Sequence, residues 1–178
     1  FTGKDGTNIV LPSAALQNSG NVKFVLIIGG TDERTSAGTA GYTAKEKGIA
    51  GLSLYNFTNV EVSVAQTILG NYRWEKYQSK TKGNLESITL VMEDNATAAT
   101  RGTTIANARN FARDLVNMPA DDLYPESLAD FALGLGSDSV EVEVWGVEKL
   151  KSENMIGTLA VGRGSSREPR FIHMHYTP

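Results

Sequence analysis

Two histidines, His173 and His175, stand near the end of the sequence and are the only histidines in the chain. Alternate side chains of a β-strand point to the same face, so a strand here would place both imidazoles on one face together with Phe171. Imidazole pairs of this kind can bind zinc. The nearby sequence offers no evident third ligand. Packing or surface exposure is therefore favoured over zinc binding.

Three carboxylates, Asp121, Asp122 and Glu126, fall within six residues. Carboxylate oxygens suit a hard cation. Their spacing lacks the regular alternation of a calcium loop, and acidic side chains at the start of a helix are stabilised by the helix dipole. The cluster is therefore interpreted as the start of a helix rather than as a metal site.

Two glycine-containing segments could approach a phosphate or another anion. Gly162-Arg163-Gly164 has the first two glycines of a dinucleotide fingerprint, but the third would fall at Arg167, and the segment precedes a strand instead of opening a helix. Gly29-Gly30 follows a predicted strand, where glycine lets the backbone come close to a ligand. A tight turn is the favoured interpretation of both segments.

One set of residues could favour nucleic acid. Arg73, Lys76 and Lys80 are spaced three and four residues apart beside Trp74 and Tyr77, and bases stack on aromatic rings in basic grooves. Cations near the carboxyl end of a helix are also stabilising in themselves. The structural interpretation is favoured.

The composition excludes several classes of function. The 178 residues carry 17 basic and 20 acidic side chains, a net charge of −3, and 40% of them are hydrophobic, which is enough to build a core. The absence of cysteine excludes disulfides, thiolate nucleophiles and cysteine-ligated metals. The longest apolar run, Phe24 to Ile28, is far shorter than the ~20 residues of a membrane-spanning helix. The mildly acidic balance argues against a dedicated nucleic-acid binder.

Apolar periodicity predicts the elements that hold these residues in the first part of the chain. Val22 to Ile28 is expected to form a buried strand closed by Gly29-Gly30, and residues 31–51 a loop leading into one weakly marked helix. A helix near Val62, a strand after Gly83-Asn84 and a longer helix that stops at Met118, before Pro119, follow. Their expected buried positions are Val62, Ala65, Leu69 and Tyr72, then Ile88, Leu90 and Met92, then Ile105, Ala108, Phe111, Ala112 and Leu115.

The charge changes at Pro119: residues 1–118 carry 12 basic and 10 acidic side chains, and residues 119–178 carry 5 and 10. This change supports a domain boundary there. Beyond it we expect a helix from Pro125 that ends before Gly136, a strand at 140–144, a short helix over Val147 to Glu153, a glycine-rich turn and a last strand, Phe171 to Tyr176. The helix should bury Leu128, Phe131 and Leu135, and the strand should bury Val140, Val142 and Val144 while Glu141 and Glu143 face water.

Strands alternate with helices along the chain, which favours an α/β fold. The sequence opens at Phe1 without an initiator methionine and ends at Pro178 just after a predicted strand. We therefore expect a piece of a longer protein.

Three segments resemble the leucyl (cytosol) aminopeptidase family, in the family's order and spacing. They are AQTILGNYRWEKY at residues 65–77, NFARDLVNMPADDLYPESLA at residues 110–129, and ENMIGTLAVGRGSS at residues 153–166 followed by PRFI at residues 169–172. The third is similar to a family segment in which a turn leads to an Ala-Val-Gly-x-Gly-Ser loop and an apolar strand. The resemblance covers roughly residues 64–176.

The resemblance implies a small amino-terminal α/β (macro-like) domain over residues 1–96, a linking helix over 97–118, and the opening strands and helices of an α/β catalytic domain over 119–178. It also implies a cytoplasmic, hexameric enzyme in which two divalent metal ions, zinc or manganese, activate a water that attacks the first peptide bond of a peptide substrate. Two metal ions stabilise both the nucleophile and the developing oxyanion.

The family's metal-binding motifs, Gly-Lys-Gly-x-Thr-Phe-Asp-x-Gly-Gly and Asn-Thr-Asp-Ala-Glu-Gly-Arg, do not occur in this sequence. We therefore assign no catalytic, cofactor-binding or metal-binding residue to this chain, and expect it to be inactive alone. Tyr124 stands where the family commonly has a capping Thr, so capping is expected from Asp121 or Asp122.

Two alternatives to a piece of an enzyme stay open. The first is a non-catalytic oligomerisation or DNA-binding regulatory module, since family members form hexamers and some bacterial members bind DNA; the mixed charge favours assembly over nucleic acid. The second is a naturally shortened homologue with a regulatory role.

Overall fold

The computed structural model describes residues 8–12, 24–28, 32–91 and 95–178. The chain divides into two compact units, Phe1–Val116 and Asn117–Pro178. The expected division into residues 1–96, 97–118 and 119–178 stays a prediction. Within the described part of the chain, no helix is both long and apolar enough to cross a membrane.

The first unit combines short strands with three helices. Its strands form one antiparallel pair, β1 with β2, and one parallel pair, β3 with β4. In chain order the elements are β1 (Asn8–Pro12), β2 (Phe24–Ile28), α1 (Glu33–Lys47), β3 (Gly51–Leu54), α2 (Val60–Asn71), β4 (Ser87–Leu90) and α3 (Ala96–Asn117). The expected strand near 22–28 is thus present over Phe24–Ile28, whereas Val22, Gly29-Gly30 and Met92 lie outside the described residues.

The helix expected within residues 31–51 is present as α1, but the loop expected before it is wrong, because the helix already begins at Glu33 and runs for 15 residues. The Asp32 side chain accepts hydrogen bonds from the first amides of the helix, and Gly48 ends it with a φ of 61°, a conformation that favours glycine. Its buried face consists of small or polar residues, Ala37, Ala40, Gly41, Thr43, Ala44 and Lys45. A face without large apolar side chains gives almost no hydrophobic periodicity, which explains the weak signal.

Helices α1 and α2 pack with their backbones in close approach. A Cβ atom on Gly41 would lie 1.9 Å from the Thr67 carbonyl oxygen, and one on Gly70 would lie 2.1 Å from the Gly38 carbonyl oxygen. Only glycine permits such distances, because any other residue would place its Cβ inside the neighbouring backbone. The contact between α1 and α2 is therefore built on small residues.

Helix α3 ends within one residue of the expected Met118, but its predicted buried face is wrong. Gly102 and Ala106 are its buried residues. Ile105, Ala108, Phe111 and Ala112 are exposed and Leu115 is half-buried. A Cβ on Gly102 would lie 2.5 Å from the Glu61 carbonyl oxygen, so the closest approach to α2 selects the face with the smallest residues rather than the most apolar one.

The second unit places three helices around an antiparallel pair of strands. Its elements are α4 (Pro125–Leu133), β5 (Val140–Trp145), α5 (Val147–Ser152), α6 (Ile156–Gly162) and β6 (Phe171–Tyr176). The expected alternation in β5 is confirmed: Val140, Val142 and Val144 are half-buried, while Glu141 and Glu143 are exposed. The last strand has the expected bounds.

Two expectations for the second unit are corrected. Helix α4 ends at Leu133 and buries Ala129 and Ala132, whereas Leu128 is exposed, Phe131 is only half-buried and Leu135 lies beyond the helix. The segment expected as a glycine-rich turn begins instead with helix α6, in which Gly162 is the last residue. A Cβ on Gly162 would lie 2.8 Å from the Pro169 side chain, so this glycine permits close packing. The expected turn follows it at Arg163 and Gly164, where the Ser165 amide donates to the Gly162 carbonyl oxygen at 3.1 Å.

Candidate functional site

The two histidines lie on β6, opposite two carboxylates of β5. His173 pairs with Glu143 and His175 with Glu141, and directly opposed residues share one face of an antiparallel sheet. All four side chains are exposed. Among the described residues, no three His, Cys, Asp or Glu side chains are arranged to hold a metal ion. The geometry thus matches the surface interpretation of this pair.

An aromatic pair closes one end of this polar face. The rings of Trp145 and Phe171 lie with centroids 5.1 Å apart, and the Lys149 ammonium lies 5.3 Å from the Trp145 ring. The hydrogen bond from Lys149 to Glu153, 2.5 Å long, is the main cause that raises the pKa of this lysine, followed by the charges of Glu153 and Glu143. The ammonium lies within the range of a cation–π contact with the Trp145 ring.

The carboxylates at the start of α4 do not converge. Asp121, Asp122 and Glu126 are all exposed. The Glu126 carboxylate lies 4.0 Å from the Arg170 guanidinium, which also contacts Glu168 at 3.1 Å. Glu126 is therefore part of a surface ion-pair network with Arg170 and Glu168.

Ser127 makes the side-chain contact at the start of α4 that was expected from Asp121 or Asp122. Its hydroxyl oxygen accepts a hydrogen bond from the Tyr124 amide at 2.9 Å and donates to the Asp122 carbonyl oxygen at 2.9 Å. The spacing of Tyr124 and Ser127 is that of a capping box. Sequence reasoning missed this residue because the usual Glu or Gln is replaced by Ser.

The positive charge of the basic and aromatic set after α2 is partly neutralised by a carboxylate. The Arg73 guanidinium lies 4.4 Å from the Tyr42 ring centroid and 3.6 Å from the Glu46 carboxylate. Lys82 donates to the same carboxylate at 2.8 Å. These two cations, Lys82 first, lower the pKa of Glu46. Arg73 therefore serves contacts within its own unit.

The remaining members of the set lie on the surface. The Lys76 ammonium is 5.4 Å from the Tyr77 ring, and Tyr77 meets Trp74 edge to face at 6.1 Å. Lys80 is exposed. The set is therefore partly paired within its unit and partly exposed, and its structural interpretation stays a prediction.

A cavity of about 410 Å³ lies in the first unit, between α2, α3 and the segment that leads into β4. This volume is in the range of small-ligand sites. Its wall mixes apolar and polar side chains, among them Ile68, Asn71, Leu85, Glu86, Thr103 and Asn107. No sequence pattern pointed to it, because its members are far apart in the chain.

Comparison with known proteins relates this fold to a family. The model of the cytosol aminopeptidase family, catalytic domain, matches residues 110–178. A probable cytosol aminopeptidase of Aquifex aeolicus is 30% identical over 196 residues, which cover 100% of this chain and 39% of that protein. One from Leifsonia xyli is 32% identical over 85% of this chain and 34% of that protein. The chain belongs to the cytosol aminopeptidase family.

Solved structures confirm the α/β fold. A tomato leucine aminopeptidase mutant superposes with a TM-score of 0.82 at 19% identity, covering 100% of this chain and 39% of that one. The bottromycin maturation enzyme BotP in complex with Mn superposes with a TM-score of 0.80 at 24% identity, covering 98% and 40%. At these identities the likeness concerns the fold alone.

The chain spans between about a third and two fifths of the length of these cytosol aminopeptidase relatives, 34% and 39%. The family model begins at Asn110, within α3, and runs through the whole second unit. Two of the three segments that carried the resemblance, 110–129 and 153–172, lie inside that match. The family assignment from sequence is therefore confirmed.

Proposed function

We propose that this chain is part of a metal-dependent leucyl aminopeptidase that removes amino-terminal residues from peptides in the cytoplasm. The observation that carries the proposal is the family match over residues 110–178, extended by relatives that align with the entire chain. Those relatives are named cytosol aminopeptidases, and a protein of the same fold has been solved with manganese. Two divalent ions, zinc or manganese, would supply the activated water and stabilise the oxyanion.

In this proposal the residues described here provide scaffold rather than chemistry. Residues 1–96 form the amino-terminal domain, 97–118 the linking helix and 119–178 the opening of the catalytic domain. The family's two metal-binding motifs are absent from the sequence, and other residues of the working enzyme would provide them.

Two assays test whether this chain provides scaffold and other residues provide the chemistry. The purified 178-residue chain, incubated with leucine p-nitroanilide and excess MnCl₂ or ZnCl₂, should release no more nitroaniline than a blank without protein. A chimera in which this chain replaces the matching 39% of the Aquifex aeolicus relative should show metal-dependent release. Turnover by the chain alone, or a folded chimera that binds metal without turnover, would refute the proposal.

We propose hexameric assembly as the second contribution of the chain. The support for this proposal is the family membership, because the resemblance to that family implies a hexameric enzyme. Sedimentation of the chimera should give a hexamer. A monomer with full activity would remove assembly from the proposal.

A further inference from the structure

Lys45 is the largest fully buried side chain of the described residues, with 1% of its surface exposed. Its ammonium donates to the Glu75 carboxylate at 2.6 Å, to the Asn84 side-chain oxygen at 2.7 Å and to the Lys82 carbonyl oxygen at 2.9 Å. An ammonium has three N–H donors, so these contacts satisfy it fully. A buried charge without such partners would be strongly destabilising.

All three partners of Lys45 belong to one segment, residues 72–86, which connects α2 to β4 and contains no helix or strand. We call this segment the strap. Lys45 joins it to α1 across 30 to 39 residues of sequence. A second tie lies at its end, where the Leu85 amide donates to the Asn71 side-chain oxygen at 3.2 Å. Further polar contacts hold it: the Lys82 ammonium donates to Glu46 at 2.8 Å, the Tyr72 hydroxyl to Asp114 at 2.8 Å and the Glu86 amide to the Ala50 carbonyl oxygen at 2.7 Å. No residue of the strap is buried, so polar contacts rather than buried apolar side chains hold it.

The helices beneath the strap are held differently. Asn71 donates to the Gly41 carbonyl oxygen at 3.1 Å, and the glycine contacts between α1 and α2 need no strap residue. The strap instead forms part of the wall of the cavity described above, through Leu85 and Glu86. The strap therefore contributes one part of the cavity wall, while α2, β4 and α3 contribute the rest.

We propose that the strap is a conformational device latched by Lys45. In the latched state the strap closes one wall of the cavity and keeps Arg73 and Lys82 against Glu46. In the released state the strap leaves α1, the cavity opens, and both cations lose their carboxylate partner. Segments held by few buried apolar contacts open at lower free energy than the core, which is what such a device requires.

Tryptophan fluorescence provides a local reporter, because Trp74 lies in the strap and Trp145 is the only other tryptophan. In a Trp145→Phe background, Lys45→Met removes the latch, and Lys47→Met removes an exposed lysine of the same helix as a control. Lys45→Met should red-shift Trp74 emission and speed amide exchange over residues 72–86 by at least about tenfold. Exchange over Glu33–Lys47 and Val60–Asn71 should stay within about twofold, and trypsin should cut sooner after Lys76 and Lys80.

Two results would overturn the proposal. One is a Lys45→Met protein whose strap exchanges no faster than that of Lys47→Met. The other is exchange that rises in α1 and α2 as much as in the strap, since Lys45 would then be a core residue and not a latch. If Lys45→Met does not fold, Asn84→Ala serves instead, because it removes only one of the three contacts of Lys45. Amide exchange in this variant should rise in the strap by a smaller factor. Exchange that rises equally in the strap and in the helices would also overturn the proposal.

Discussion

At the scale of single residues, the close approach of α1 and α2 leaves room for an added methyl group at Gly38 but not at Gly41. Gly41→Ala would drive a methyl group into the Thr67 carbonyl at 1.9 Å, whereas a Cβ on Gly38 meets nothing closer than 3.9 Å. We expect Gly41→Ala to lower the free energy of unfolding by about 2–3 kcal/mol, as overpacking does. Gly38→Ala should be neutral or stabilising by about 0.5–1 kcal/mol, since alanine is the better helix former. Urea unfolding of both variants measures this difference in stability. Equal unfolding midpoints would contradict the close packing of α1 on α2.

The hydrogen bonds of a second residue, Glu33, predict that the folded protein loses stability in acid. The Thr58 hydroxyl donates to its carboxylate at 2.6 Å, and the amides of Thr58 and Asn59 donate at 2.7 and 3.1 Å. These bonds, the hydroxyl first, lower the pKa of Glu33 below 4.5. A carboxyl whose pKa is lower when folded stabilises the protein above pH 4.5, and this stabilisation is lost as the pH falls through the folded-state pKa.

The stability of the wild-type protein should therefore fall between pH 5 and pH 3 more steeply than that of Glu33→Gln, which has no carboxyl to protonate. Thr58→Val, which removes the hydroxyl donor but keeps the carboxylate, should show an intermediate slope. Thermal melts across this pH range provide the measurement. Parallel curves for all three proteins would show that these bonds do not act in solution.

At the scale of elements, sequence reasoning succeeded where large apolar side chains mark the buried face and failed where glycine and alanine do. The alternation of valine and glutamate located β5, and proline located the end of α3 and the start of α4. The buried faces of α1 and α3 consist largely of small residues. Their burial depends on which backbone comes near, and no local pattern encodes that distance. The Lys45 contacts and the cavity were missed for the same reason, since their members meet only through the fold.

The corrected face of α3 gives a matched pair of substitutions. Ala106 is fully buried and Ala108 is exposed on the same helix. Ala106→Leu should destabilise the first unit by about 1–3 kcal/mol through overpacking, and Ala108→Leu should change stability by less than about 0.5 kcal/mol. Denaturant titrations followed by circular dichroism test this. If Ala108→Leu were the more destabilising substitution, the buried face of α3 would be the one first expected from periodicity.

At the scale of the whole molecule, the family assignment and the absence of its metal-binding motifs together predict how the chain responds to metal ions. A ligand that binds only the folded state raises the melting temperature, and the stabilisation grows with the logarithm of the ligand concentration divided by Kd. We expect the 178-residue chain to melt at the same temperature in EDTA and in millimolar MnCl₂, whereas the chimera with the Aquifex aeolicus relative should be stabilised by manganese. The same comparison with zinc examines the exposed pair His173 and His175. If zinc stabilises the chain and the double variant His173→Ala/His175→Ala abolishes the effect, the histidines form a binding site and their interpretation as surface residues is wrong. If the double variant responds to zinc like the parent, the zinc response of this chain comes from residues other than these.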